Sequence, residues 1–207
     1  VFTDSLNRQV VTLANGLVKT STWNLAGELI SYAESGSGIT TGTATYKYDA
    51  LGRLRMVTDS TARKSYHLYD TVGRKAADIG ADGSITEYGY DASDRLVETI
   101  GYATKLNATQ LASLVDASGN PADVLLSSVR PAANAADIWE WRIYDAANRL
   151  IEVIDGKGGV TVFDYDGASN LVKTTSYYNV VAAATVTGYK TTSPTTLQLP
   201  TANSTKD

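Results

Sequence analysis

The sequence predicts an all-β fold built from repeated β-hairpins, interrupted by a short helical insertion. The composition favours short strands and tight turns, with 17 Gly and 13 Tyr but only one Met and two Phe. One phrase also recurs: "YKYDALGRLRMVTD" (46–59) returns as "YGYDASDRLVETI" (88–100), "RIYDAANRLIEVID" (142–155) and "FDYDGASNLVKTT" (163–175). Such self-similarity indicates a repeat architecture, in which stacked neighbours build the core together.

The repeat has a period near 21 residues. The Asp or Asn that follows the aromatic residue falls at Asp4, Asn24, Asp49, Asp70, Asp91, Asp145 and Asp166, at intervals of 20, 25, 21, 21, 54 and 21. The first two copies are degenerate, since the one at Asp4 lacks the aromatic residue and the next uses Trp23 in its place.

Each copy contains two strands and two turns. In "VTVFDYD" (160–166) the residues alternate between two faces, which is the pattern of a pleated strand. In "DALGR" (49–53) the Asp side chain can accept backbone N–H bonds, and the Gly three residues later suits a positive φ. A second strand such as "RLVETI" (95–100) follows, and hairpin turns such as "ADGS" (81–84) or "GKGG" (156–159) close the unit.

The interval of 54 residues holds a first insertion at 103–138, for which leucines at helical spacing, Asn107 as an N-cap and a break at "SGNP" (118–121) predict two short helices. Tyr102 and Tyr177 each lie eleven residues past a repeat Asp, which predicts a higher-order period of 75 residues. We therefore divide the chain into five repeat copies at 1–102, the first insertion, two copies at 139–178, and 179–207 as the start of a second insertion or a connection to a further repeat.

Composition and charge exclude several classes of function. Charged residues make up 19% of the chain and the net charge is -4, so there is no basic field for nucleic acid. The absence of Cys excludes disulfides and thiolate chemistry. No apolar run approaches the roughly 20 residues that cross a bilayer, so we predict no membrane span.

We predict no catalytic, cofactor-binding or metal-binding residue. His67 is the only His and occupies a strand position beside aromatic residues, where packing is its expected role. The recurring aspartates could form a calcium ladder, but turn capping is favoured because each copy supplies only one of them. Glycosidase chemistry needs one defined carboxylate pair, which evenly spaced acids do not single out.

The phrase Tyr48-Asp49-Ala50-Leu51-Gly52-Arg53-Leu54 resembles the RHS or YD-repeat family, and close matches recur at 69–74, 90–96, 144–150 and 165–171. This resemblance implies an elongated, spiralling β-sheet of hairpins, found in large bacterial secreted or surface proteins, toxin-enclosing shells and animal adhesion proteins. The Asp-Pro-x-Gly motifs of the self-cleaving core in shell-forming members do not occur in this sequence. The residues expected to hold the repeats together are Tyr48, Asp49, Gly52, Arg53, Tyr69, Asp70, Gly73, Arg74, Tyr90, Asp91, Arg95, Tyr144, Asp145, Arg149, Tyr165 and Asp166.

These observations predict a non-enzymatic structural segment of a large exported bacterial YD-repeat protein. It would form a β-spiral wall, fibre or sheath at the cell surface or outside the cell, with neighbouring repeats or further copies of the chain as partners. One alternative is an adhesin or carbohydrate-binding module that contacts surface glycans through Tyr102, Trp139 and Trp141, where the first insertion leaves and rejoins the sheet. Another alternative is a wall fragment of a toxin-enclosing shell.

Overall fold

A computed structural model of the protein describes residues 2–3, 8–36, 38–40 and 42–207. The chain forms two compact units, which we call unit 1 (Val1–Ile85 with Lys105–Pro131) and unit 2 (Thr86–Thr104 with Ala132–Asp207). Each unit thus combines consecutive repeats with a later segment of the chain. The first repeat position, Asp4, lies outside the described residues.

Unit 1 contains an antiparallel sheet with short helices after it in the sequence. Its strands are β1 (Phe2–Thr3), β2 (Arg8–Thr12), β3 (Val18–Trp23), β4 (Leu29–Gly36), β5 (Ile39–Thr40), β6 (Ala44–Tyr48), β7 (Leu54–Thr58), β8 (Lys64–Tyr69) and β9 (Lys75–Ile79). They pair in chain order, except that β6 pairs with β4 and β5 forms a side branch on β4. The helices α1 (Ala108–Ser113) and α2 (Leu126–Val129) lie within the first insertion.

Unit 2 repeats this arrangement with fewer strands. Its strands are β10 (Ile85–Tyr90), β11 (Leu96–Gly101), β12 (Ile138–Tyr144), β13 (Leu150–Asp155), β14 (Val160–Tyr165) and β15 (Leu171–Ser176), each pairing antiparallel with the next. The helix α3 (Ala183–Tyr189) follows within residues 179–207. The predicted all-β fold of repeated hairpins with a helical insertion is confirmed.

One five-residue turn joins most of these strands. In the turn Asp49–Arg53, the Asp49 N–H donates to the Arg53 carbonyl and the Gly52 N–H donates to the Asp49 carbonyl, both at 3.0 Å. The Asp49 Oδ1 also accepts the N–H groups of Leu51 and Arg53. The fourth residue has φ of 75° at Gly52 and 62° at Asn148, which explains the Gly or Asn at this position.

The same turn closes the opposite edge of the sheets. It recurs at Asp59–Arg63, Gly80–Ser84 and Asp155–Gly159, and once within the first insertion at Asp116–Asn120. The sequence places turns at "ADGS" and "GKGG", but it does not reveal that they share the geometry of the Tyr-Asp turns. The outer turns start at Asp or Gly and lack the preceding Tyr, so the motif is only partly visible there.

The first insertion docks on the sheet of unit 1. The Lys47 Nζ donates to the Gly119 carbonyl at 2.7 Å, and the buried Arg55 donates through Nη2 to the Ala122 carbonyl at 2.9 Å. The insertion also contributes buried apolar side chains at Leu106, Leu114, Leu126 and Val129. It therefore completes a core that a sheet with one bare face would lack.

A corresponding dock occurs in unit 2, 75 residues further along the chain. The Leu106 N–H donates to the Gly83 carbonyl at 2.8 Å in unit 1, and the Val181 N–H donates to the Gly158 carbonyl at 2.9 Å in unit 2. A Cβ at either glycine would lie 2.5 Å from a backbone oxygen of the docked segment. Both docks thus depend on a glycine with positive φ in an outer turn.

The Tyr, Asp and Arg ladder

Tyrosine hydroxyls connect each repeat to the one before it. The hydroxyls of Tyr48, Tyr69, Tyr144 and Tyr165 donate to the carbonyls of Leu29, Leu54, Leu96 and Leu150, at distances between 2.9 and 3.0 Å. Each of these tyrosines ends its strand just after a β-bulge, as at Lys47/Tyr48, and a bulge re-aims the side chain that follows it. The bulge thereby directs the ring toward the preceding repeat.

Arginine side chains reach in the opposite direction, from one repeat onto the next tyrosine. The guanidinium carbon lies 4.6 Å from the ring centroid for Arg53 over Tyr69. It lies 5.1 Å from the ring for Arg95 over Tyr144 and 5.0 Å for Arg149 over Tyr165. These distances fall within the range of cation–π attraction.

The aspartate of each turn holds the arginine in position. The Arg53 Nε lies 2.7 Å from the Asp49 Oδ2, and the Arg149 Nε lies 2.7 Å from the Asp145 Oδ2. These pairs are one-sixth to one-third exposed, so the Coulomb attraction alone contributes little stability. Their main effect is to orient the guanidinium over the ring of the next repeat.

The aspartates are stabilised in their charged form. For Asp145, the backbone N–H of Arg149 outweighs desolvation and, together with the guanidinium, holds the pKa below its usual value. For Asp49, desolvation opposes the shift, but the backbone and side-chain hydrogen bonds of Arg53 still lower the pKa. The ladder therefore depends on ionised carboxylates.

Two copies depart from this arrangement. In the second copy Glu28 takes the place of the arginine, and the Asn24 amide donates to its carboxylate at 2.5 Å. In the last copy Asn170 takes that place and donates to the Asp166 Oδ2 at 2.9 Å. Both substitutes satisfy the turn, but neither provides a guanidinium for the next ring.

Trp139 and Trp141 lie in the core of unit 2. Trp141 is fully buried and Trp139 is 8% exposed, and their rings stack with centroids 5.6 Å apart. Tyr189 from α3 packs edge-on against Trp141 at 5.5 Å. The ligand role suggested for these tryptophans does not fit this structure, because the covering segment begins about 40 residues later and is not visible from their local sequence.

The third suggested ligand contact, Tyr102, is half-buried and donates its hydroxyl to the Glu87 carboxylate at 2.7 Å. An open cavity of about 450 Å³ borders Trp139, and its lining includes Asp137, Asp155 and Lys190. The Lys190 Nζ lies 5.8 Å from the Trp139 ring centroid, so this face of the ring is partly occupied by a cation.

A buried carboxylate beneath the second insertion is a feature that the sequence analysis missed. Glu152 on β13 has no exposed surface, and both of its carboxylate oxygens accept the backbone N–H of Gln198, at 3.2 and 2.9 Å. Burial raises its pKa above the usual value. The signal was present in "LIEVI", where strand alternation places the glutamate on the same face as Ile154.

The described residues offer little for catalysis or metal binding. No group of three or more His, Asp or Glu side chains gathers in this part of the chain as a metal site would require. His67 lies in β8 with its Nδ1 2.5 Å from the Asp78 Oδ1. The helices of the described ranges are also all too short or too polar to span a membrane.

The paired hairpins and their ladder define a β-hairpin repeat protein. The family model for the RHS repeat matches residues 144–176, which include Tyr144, Asp145, Arg149, Tyr165 and Asp166 of the ladder. The resemblance to the RHS or YD-repeat family is thus confirmed, and the chain contains an RHS-type repeat segment. No curated protein is significantly similar to the chain in sequence.

The chain is also similar to parts of Tc toxin structures. It shares 14% identity with a chain in a crystal structure of TcdB2-TccC3, with a TM-score of 0.38, over 84% of this chain and 12% of that one. For TcdB2-TccC3-Cdc42 the values are 13%, 0.37, 86% and 12%. For the Photorhabdus luminescens Tc holotoxin pore they are 12%, 0.32, 83% and 11%. At TM-scores below 0.5, these likenesses carry no argument about function.

Proposed function

We propose that this chain is a non-enzymatic wall segment of a large exported bacterial YD-repeat protein. In this role the repeats transmit mechanical continuity along the wall, and the insertions cover one face of it. The cell surface or the extracellular space follows from what the family resemblance implies about such proteins.

One observation supports this proposal above the others. The conserved chemistry of the repeat is used between repeats: the tyrosine hydroxyl bonds backward to a leucine carbonyl, while the arginine stacks forward on the next tyrosine. For example, Tyr69 both donates to Leu54 and receives the guanidinium of Arg53. Side chains that are committed to neighbouring repeats act as structural connectors.

Electron microscopy of the intact parent protein, isolated from its source without denaturant, tests the proposal. We expect continuous fibres, or a sheath, in which this segment forms part of the wall. Closed, discrete particles with density inside them would contradict the fibre and favour a toxin-enclosing shell. A second preparation that carries Arg149→Ala should show breaks or disorder in the wall, because Arg149 contacts the next repeat at Tyr165 and the Asp166 carbonyl.

The matched control is Arg63→Ala. Arg63 pairs with Asp59 in the same kind of turn, but its side chain is 72% exposed. Walls that carry this substitution should resemble the wild type. Glycan-array binding by the 207-residue chain is a separate measurement, and specific retention of a glycan would instead favour an adhesin.

A further inference from the structure

Three large apolar side chains protrude from consecutive Tyr-Asp turns of unit 1. Leu25, Leu51 and Val72 each occupy the residue before the glycine of the turn, and they are 99%, 77% and 71% exposed. We call these three residues the tip row. The corresponding residues of the turns in unit 2 are Ser93, Ala147 and Ala168. The turn therefore does not require a large apolar residue there, and the tip row is specific to unit 1.

The tip row runs along one edge of the sheet at a regular spacing. Successive Tyr-Asp turns are separated by two paired strands, as β4 and β6 separate the first two turns. Because neighbouring strands lie about 4.8 Å apart, successive tips are about 10 Å apart. Exposed apolar groups in an ordered row of this kind are typical of interaction surfaces.

Opposite charges lie between the tips. An Oε1 of Glu28 lies 2.9 Å from the position that a Cβ would take at Gly52, so this carboxylate lies between the first and second tips. An Nη1 of Arg53 lies 3.2 Å from the equivalent position at Gly73, between the second and third tips. The edge thus presents the order apolar, acidic, apolar, basic, apolar.

We propose that the tip row binds the tip row of a second copy of this chain, in antiparallel orientation about a twofold axis at Leu51. Such an axis places Leu51 opposite its own copy and Leu25 opposite Val72. It also places Glu28 opposite Arg53, so the charges of the two edges are complementary. A second copy matches the spacing of about 10 Å automatically, since a twofold contact uses the same surface on both sides.

The contact between two single segments is weak. Three side-chain tips bury far less than the roughly 800 Å² per partner of a standard stable interface. We therefore expect association at high protein concentration, with a Kd on the order of 100 µM, as for weak transient contacts. This pairing is independent of whether the parent protein forms a fibre or a shell.

Cysteine crosslinking tests the geometry directly, because the chain has no native Cys. Under oxidation by copper phenanthroline, Leu51→Cys should form a disulfide-linked dimer with itself at least tenfold faster than Leu25→Cys or the unit 2 control Ala147→Cys. Mixing Leu25→Cys with Val72→Cys should give heterodimers at a rate similar to that of Leu51→Cys. Equal rates for all single variants would overturn the twofold arrangement.

Sedimentation equilibrium of the unmodified chain tests the association itself. Wild-type protein should shift toward dimer as concentration rises, while Leu51→Lys should remain monomeric and Ala147→Lys should behave as wild type. Far-UV circular dichroism should show unchanged folding for both variants, because the wild-type side chain at 51 is largely exposed. A wild type that stays monomeric to 1 mM, or an association that Leu51→Lys leaves intact, would overturn the proposal.

Discussion

Removing Arg53 measures the contact that one repeat makes with the next. The substitution Arg53→Ala deletes the ion pair with Asp49 and the guanidinium over the Tyr69 ring. Arg63 provides a matched comparison ten residues later in the same unit. It makes the equivalent pair with Asp59, with the Nε to Oδ2 distance at 3.0 Å, in a turn of the same form.

The difference between the two arginines lies in their surroundings. The Arg53 side chain is 26% exposed, whereas the Arg63 side chain is 72% exposed. A cation–π contact at a partly exposed site contributes about 0.5–1 kcal/mol, and burying roughly one methylene of the side-chain stem contributes about 0.8 kcal/mol. We therefore expect Arg53→Ala to lower the free energy of unfolding by about 1.5 kcal/mol more than Arg63→Ala.

Urea unfolding followed by circular dichroism, together with differential scanning calorimetry, measures both variants. A loss of about 1.5 kcal/mol corresponds to a decrease in Tm of roughly 3–6 °C for a chain of this size. Replacing Tyr69 by Leu removes the ring, so in that background Arg53→Ala should cost about 0.5–1 kcal/mol less. Equal losses for Arg53→Ala and Arg63→Ala, or no change in the Tyr69→Leu background, would refute coupling through the ring.

Three further perturbations test other parts of the structure. Ala62 has φ of 66°, so Ala62→Gly should raise the free energy of unfolding by about 0.5 kcal/mol in urea titrations, and a loss of stability would contradict this. Glu152→Gln should stabilise unit 2 at pH 7, because burial raises the pKa of Glu152 and disfavours its charged form. The advantage should vanish as pH falls through that raised pKa, and a pH-independent difference in Tm would argue against it. Because the folded pKa values of ladder aspartates such as Asp145 are lowered, their contribution should be present above the unfolded value of about 4 and be lost as pH falls below it. Acid titration of Tm checks this, and Asp145→Asn should flatten the dependence.

The repeat chemistry was visible in the sequence because it is local. The Asp and Gly of "DALGR" are four residues or fewer apart, and both act within one turn: Asp49 accepts two backbone N–H groups and Gly52 supplies the positive φ. Strand alternation and the spacing of 21 residues are likewise properties of the chain itself. Such features fix the hairpin and its repetition without knowledge of what packs against them.

The contacts between distant segments were decided by the tertiary structure. The sequence allowed Trp139 and Trp141 to be exposed at the point where the insertion rejoins the sheet, and only the docking of α3 buries them. Glu152 has the residue type of a solvent-facing strand position, yet the segment that carries Gln198 covers it. Burial depends on which segment covers a sheet face, and the periodic pattern of a single strand contains no information about that partner.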